Sequence, residues 1–149
     1  MAQIIHAVKR GGRPDLLQSL AIPLAFHLRP LVQSSPVITW VPASPKGRRH
    51  RGFDQGRLLA KYVARELDLR SAPSLARSGR AQFGSNRTTR LEGPRLRIRP
   101  DWAQQSSPEE IVLIDDVITT GASMAAAASC LELHHRDTSI IGAALAMKP

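Results

Sequence analysis

Cysteine is almost missing from this sequence. Cys130 stands alone among 149 residues, so no internal disulfide can form and no cysteine-based zinc site is available. Aromatic residues make up 4% of the chain, and Trp40, Phe53, Tyr62 and Trp102 form no recognisable cluster for stacking a base. No apolar run approaches the roughly 18 residues of a membrane-spanning helix. The opening Met1-Ala-Gln-Ile-Ile-His lacks the basic and apolar regions of a secretory signal, so a cytoplasmic protein is expected. Neither a G-x-x-x-x-G-K-[ST] loop nor a G-x-G-x-x-G turn is present. Acidic side chains are also scarce, at 12 against 21 basic ones, a net charge of +9.

Hydrophobic residues at 42% and charged residues at 22% suit a folded protein and exclude disorder. The length suits one domain spanning residues 1–149. Charge is distributed unevenly. Residues 42–100 carry fifteen basic and four acidic side chains, whereas residues 101–149 carry two basic and seven acidic. The middle of the chain faces anions, and either nucleic acid or a small polyphosphate would satisfy it.

Pro14 and Asp15 suit the first turn of a helix. Leu16, Leu20, Leu24 and Leu28 recur on one face of it, with a kink or break expected at Pro23. Residues 37–41, Val-Ile-Thr-Trp-Val, read as a buried strand. A basic loop over residues 42–52 follows, and then a helix capped by Asp54, with Leu59, Val63 and Leu67 on its apolar stripe. Residues 70–108 are rich in Arg, Ser, Gly and Pro and read as a flexible loop, within which Leu96 and Ile98 alternate with arginines as a short strand. Ile111 to Ile114 is an uninterrupted apolar strand ended by Asp115-Asp116. A tight Thr119-Thr120-Gly121-Ala122-Ser123 turn opens an alanine-rich helix from Met124 to Leu133. Ser139 to Ala146 is a last strand. Alternating strands and helices predict an α/β fold with a mostly parallel sheet. His134 and His135 favour the negative end of the last helix, and Cys130 is a small packed residue.

The informative stretch is Ile111-Val-Leu-Ile-Asp-Asp-Val-Ile-Thr-Thr-Gly-Ala-Ser123. A buried strand delivers two carboxylates to the C-terminal edge of a sheet, where ligands of open α/β sheets bind. The small and hydroxyl residues that follow open a helix whose unpaired N–H groups and dipole suit a phosphate. Carboxylates beside a phosphate cradle repel the ligand unless they meet hydroxyls or Mg²⁺. A sugar phosphate with a magnesium-bound diphosphate satisfies both demands.

This segment resembles the signature of type I phosphoribosyltransferases, which bind 5-phosphoribosyl 1-diphosphate (PRPP). The resemblance implies a three-layer, Rossmann-like fold with a flap. It implies that Asp115 and Asp116 hold the ribose hydroxyls, and that Thr119, Thr120, Gly121, Ala122 and Ser123 bind the 5′-phosphate. Val41 to Gln55, containing Arg51-Gly-Phe-Asp-Gln55, resembles the corresponding segment of the ComF-type competence-protein members. So do Lys9 with Gly11-Gly12 and, more loosely, Gln82, Arg90 and Leu91-Glu92 in the flexible loop. Ser44, Lys46, Arg49 and Arg51 are then the diphosphate-binding candidates, and Arg51 joins Asp115 and Asp116 as a catalytic candidate. Mg²⁺ would be held mainly through PRPP, with no direct protein ligand. Three features depart from that family: the usual Cys-x-x-Cys module is not present, Gly93 replaces an Asn, and Asp54 replaces another.

The implied reaction moves a phosphoribosyl group from PRPP to a nitrogen nucleophile, a base or an amine, with release of diphosphate. The competing readings are a PRPP- or nucleotide-sensing module without catalysis, a competence accessory for DNA uptake, and a nucleic-acid binder. Weak nucleic-acid contact through the basic middle and a homodimer are compatible with the enzyme reading, and no membrane contact is expected.

Overall fold

The computed structural model of this protein describes residues 14–78 and 94–147. The first helix, α1 (Pro14–Leu28), begins on Pro14 with Asp15 in its first turn, as its sequence predicts. Its buried face is Leu17, Ala21, Ala25 and Leu28; of the expected leucine series Leu28 lies on that face, while Leu16, Leu20 and Leu24 are only partly buried. Steps of four residues advance about 40° beyond each full turn, so a strict four-residue series winds off the contact face. The observed spacing stays near 3.6. The helix also runs through Pro23 without a break. Pro23 is exposed, so its ring and missing N–H lie away from the face that anchors the helix.

That face packs on α3 (Gln55–Leu67), which contributes Leu59, Ala60, Val63 and Ala64, all buried, and Leu67, partly buried. Alanines on both helices remove the bulk that would otherwise hold the backbones apart. Beneath them lies a parallel sheet in the order β1–β4–β5, made of β1 (Val37–Trp40), β4 (Glu110–Ile118) and β5 (Ser139–Met147). β1 pairs with β4 from Val37↔Ile111 to Trp40↔Ile114. β4 pairs with β5 from Glu110↔Ser139 to Ile118↔Met147. A single parallel bridge, Ile38↔Ser71, extends the sheet on the far side of β1.

Central β4 is covered on both sides, and Ile111 to Ile114 are fully buried. Alternation along the strands sends Ile38, Trp40, Val112 and Ile114 to the α1/α3 face. Val37, Ile111 and Leu113 go to the opposite face, which is covered by α5 (Ala122–His134) and by Ala72, Leu75, Leu96, Ile98 and Trp102 from the chain that follows α3. Three layers result.

Three stretches are more ordered than their composition suggests. Residues 45–51 form a helix, α2 (Pro45–Arg51), within the expected basic loop. Ser44-Pro45 supplies an N-cap followed by a proline in the first turn, and Gly52 at φ 80° closes the other end. Within residues 70–108, β2 (Leu75–Arg77) pairs antiparallel with β3 (Leu96–Ile98), and a short α4 (Pro100–Ala103) follows. Leu75 and Trp102 are buried there, so both ends of the expected flap belong to the core. Finally, β4 continues four residues beyond Ile114, because β5 keeps pairing with it after β1 has ended.

Candidate functional site

β1 and β4 are adjacent and parallel, yet the chain leaves them on opposite faces. After β1 it turns to α3 on one side, and after β4 to α5 on the other. Such a divergence opens a crevice at the C-terminal ends of the two strands, the usual ligand position in an open α/β sheet. The last link between them is Val41 N–H donating to the Ile114 carbonyl at 2.9 Å. Beyond it lie Asp115 and Asp116, both half-buried. Asp115 Oδ1 accepts the Asp116 backbone N–H at 2.8 Å, which fixes one carboxylate oxygen.

The turn after β4 is short and uncapped. Gly121 precedes α5 at φ 77°, and no side chain caps that helix in the manner of an N-cap. A Cβ at position 121 would touch nothing within 4 Å, so the requirement for glycine comes from the left-handed backbone and not from crowding. The first turn of α5 carries no acidic residue. Thr119 and Thr120 are exposed, and Thr120 Oγ1 accepts the Ala122 N–H at 3.3 Å. A helix N-terminus with neighbouring hydroxyls therefore follows the C-terminal end of β4, a favourable setting for an anion.

The opposite wall is the connection from β1. Asp54 ties its two ends together: Oδ2 accepts the Ala43 N–H at 3.0 Å, and Oδ1 accepts the Arg57 N–H at 3.1 Å as the N-cap of α3. Gly56 permits the close approach of α3 to the strand end, since a Cβ there would meet the Val41 carbonyl at 3.3 Å. Between these anchors, α2 presents Lys46, Arg48 and Arg49 exposed. Ser44 is occupied as a cap, its Oγ accepting the Gly47 N–H at 3.0 Å.

Arg77 was not distinguishable in sequence, being one of fifteen basic residues in the middle segment. At the end of β2 it lies half-buried, its Nε donating to the Pro42 carbonyl at 2.9 Å. Burial lowers its pKa from the ordinary value, while Asp115 and Asp54 act in the opposite direction. An arginine stays charged regardless. The fold thus brings a guanidinium, two carboxylates and an uncapped helix start to one sheet edge.

Of the residues proposed from sequence, Asp115, Asp116 and the Thr119–Ser123 turn lie together at that edge, with Ser44, Lys46 and Arg49 on the adjoining connection. Arg51 ends α2, and its side chain lies outside the described part. Gln82 and Arg90 lie outside the described residues. Among the described residues, no group of three or more His, Cys, Asp or Glu side chains could hold a metal ion. His135 departs from expectation: it is buried and hydrogen-bonded to Trp102 and is not a charged complement to the helix dipole. Cys130 packs half-buried on the α5 face, where burial raises its thiol pKa. No helix among the described residues is long and apolar enough to cross a membrane.

No family model and no curated protein matches this sequence. Solved structures do match its fold. An adenine phosphoribosyltransferase superposes with a TM-score of 0.59 at 20% identity, covering 91% of this chain and 71% of its own. A hypoxanthine phosphoribosyltransferase from Staphylococcus aureus gives 0.54 at 13% identity, covering 89% and 64%. The allosteric regulatory enzyme of purine biosynthesis gives 0.51 at 16% identity, covering 86% of this chain and 26% of that one. The fold is that of the type I phosphoribosyltransferases.

Proposed function

We propose that this protein is a phosphoribosyltransferase that binds PRPP in the crevice between the ends of β1 and β4. The observation carrying this reading is the Asp115-Asp116 pair leading into the uncapped Thr119–Ser123 turn at the point where the chain diverges. In this reading the turn and the first N–H groups of α5 hold the 5′-phosphate. Asp115 and Asp116 accept the ribose 2′- and 3′-hydroxyls. Lys46, Arg49 and Arg51 face the diphosphate, with Ser44 retained as the cap that shapes α2. Arg77, held on the Pro42 carbonyl and within the electrostatic influence of Asp115 and Asp54, adds a cation near the pair.

The donor set suits Mg²⁺, a hard ion that prefers carboxylate and phosphate oxygens. Two adjacent carboxylates cannot enclose it, so PRPP oxygens would complete its coordination. When bound it would supply charge neutralisation of the diphosphate. The chain's own contribution is positioning and electrostatic: its cations stabilise the departing diphosphate, and its carboxylates orient the ribose toward a nitrogen nucleophile. The same reading places the chain nearest the ComF-type members, on the strength of Arg51-Gly-Phe-Asp-Gln55. The acceptor is a nitrogenous base or an amine.

Calorimetric titration with PRPP, with and without Mg²⁺, tests this reading. Binding that needs Mg²⁺ and weakens roughly tenfold or more in Asp116→Asn, the scale of a lost charged hydrogen bond, supports it. Unchanged affinity in the variant removes the site assignment. Binding without diphosphate release on screening bases and amines would turn the reading toward sensing.

A further inference from the structure

At the foot of α5, far along the helix from the candidate site, Trp102 and His135 form a buried polar pair with the exposed Ser107 at its edge. The Trp102 indole N–H donates to His135 Nε2 at 2.8 Å. Ser107 Oγ lies 2.7 Å from His135 Nδ1. Trp102 is 2% exposed and His135 3%. An indole nitrogen can only donate, so Nε2 must be the unprotonated nitrogen. The neutral ring therefore carries its proton on Nδ1 and donates it to Ser107. Both ring nitrogens are committed, and the geometry fixes the tautomer.

The backbone holds this ring in place. His135 N–H donates to the Leu131 carbonyl at 2.8 Å, which closes the end of α5. Trp102 belongs to the four-residue α4, whose N-cap Arg99 makes no side-chain cap hydrogen bond. The buried indole and the Arg99 N–H, which donates to the Ser74 carbonyl at 2.9 Å, anchor that short helix.

We propose that His135 is a proton-operated latch: its neutral form holds α4 against the end of α5 through Trp102, and protonation of Nε2 releases it. A proton on Nε2 would set two donors against each other inside the core, where neither finds water. The ionisable groups on the surrounding elements do not offset this. His134, on the same helix, stands edge-on with ring centroids 4.6 Å apart. Asp101 on α4 is engaged by Arg99 at 3.1 Å. Arg70 lies across the indole, 6.0 Å from its centroid. Glu109 precedes β4, and Arg136 and Asp137 follow α5, all three exposed. Burial, and secondarily His134, lower the proton affinity of the ring. The unfolded chain therefore binds this proton more readily than the folded one. The latch is complete above about pH 6.5, the ordinary histidine value. It opens as pH falls below that, through the lowered folded value.

The test is a nuclear magnetic resonance titration of the intact chain from pH 8 to 5. It follows the His135 ring and the hydrogen-exchange protection of both indole N–H groups, with Trp102→Phe supplying the assignment. The expected result is that Trp102 protection falls about tenfold or more, with the midpoint of His135, while Trp40 keeps its own. In His135→Gln, where an amide oxygen accepts the indole N–H without titrating, Trp102 protection holds across the range. In Trp102→Phe, the His135 midpoint rises toward the ordinary value, an effect that packing alone would not produce. Three outcomes overturn the proposal: Trp102 protection unchanged while His135 titrates, both indoles losing protection together, or an unmoved His135 midpoint in Trp102→Phe. The last comparison decides the matter even if His135→Gln does not fold.

Discussion

The two faces of the sheet are built by different physics. The α1/α3 face is closed mainly by apolar contacts: Ala21, Ala25, Leu28, Leu59, Ala60, Val63 and Ala64 meet Ile38, Trp40, Val112 and Ile114. The α5 face has an apolar centre too, but it also encloses hydrogen-bonded polar side chains. Thr39 and Ser74 share a 2.6 Å hydroxyl bond, and Trp102 bonds His135 at the helix end, with the exposed Ser107 on the other ring nitrogen. On the first face the partners are whole helices with periodic stripes. On the second they are short pieces, β2, β3 and α4, each too brief to bury a stripe of its own. Non-directional burial suffices for long amphipathic helices, whereas short segments need directional bonds to fix their position.

The largest expected effect lies on the polar face. Trp102→Ala removes the indole anchor and leaves His135 Nε2 without its donor, and should cost about 3–5 kcal/mol in urea unfolding. A loss near zero would mean that α4 is not part of the core and would erase the contrast between the faces. Next comes overpacking on the helical face. Ala21→Leu, fully buried against α3, should cost about 1–3 kcal/mol. The neighbouring Ile22→Ala, at a position 54% exposed, should stay within about 0.5 kcal/mol. Comparable losses at both positions would contradict the assigned face of α1. The smallest of the expected losses in the core sharpens the contrast. Thr39→Val strands a buried Ser74 hydroxyl and should cost about 1–2 kcal/mol. Adding Ser74→Ala should recover part of it, a coupling readable in a double-mutant cycle.

The site joins the two faces. The turn after β4 leads to α5, the connection after β1 leads to α3, and Arg77 reaches the same edge from β2. Opening of the latch at His135 would loosen α4, next in the chain after the β3 strand that pairs with β2. A perturbation of the polar face thus has a structural route to Arg77 through β3 and β2.

Much of this was readable from the chain. Ile111 to Ser123 declared both a buried strand and a tight glycine turn opening a helix, because an unbroken apolar run followed by carboxylates, hydroxyls and glycine ends a strand and starts a helix. Asp54 was readable as a cap from its place before an apolar stripe, although its second bond to Ala43 was not. The helix at Pro45–Arg51 was present in local signals, Ser44-Pro45 and Gly52, that its basic composition obscured. The buried face of α1 was legible at Leu28 but missed at Ala21 and Ala25, since leucines outweigh alanines in any hydrophobic count while close helix packing selects the alanines.

What the sequence by itself determined is whatever depends on neighbours within a turn or a strand: periodicity, capping, the left-handed glycine at 121 and the clustering of charge. Tertiary structure decided the rest. Arg77 meets the Pro42 carbonyl across 35 positions, and Trp102 meets His135 across 33. No local preference encodes either meeting. Each becomes favourable only after the sheet and its helices have brought the partners together and removed the water between them, because a hydrogen bond gains its specificity from the desolvation that folding imposes.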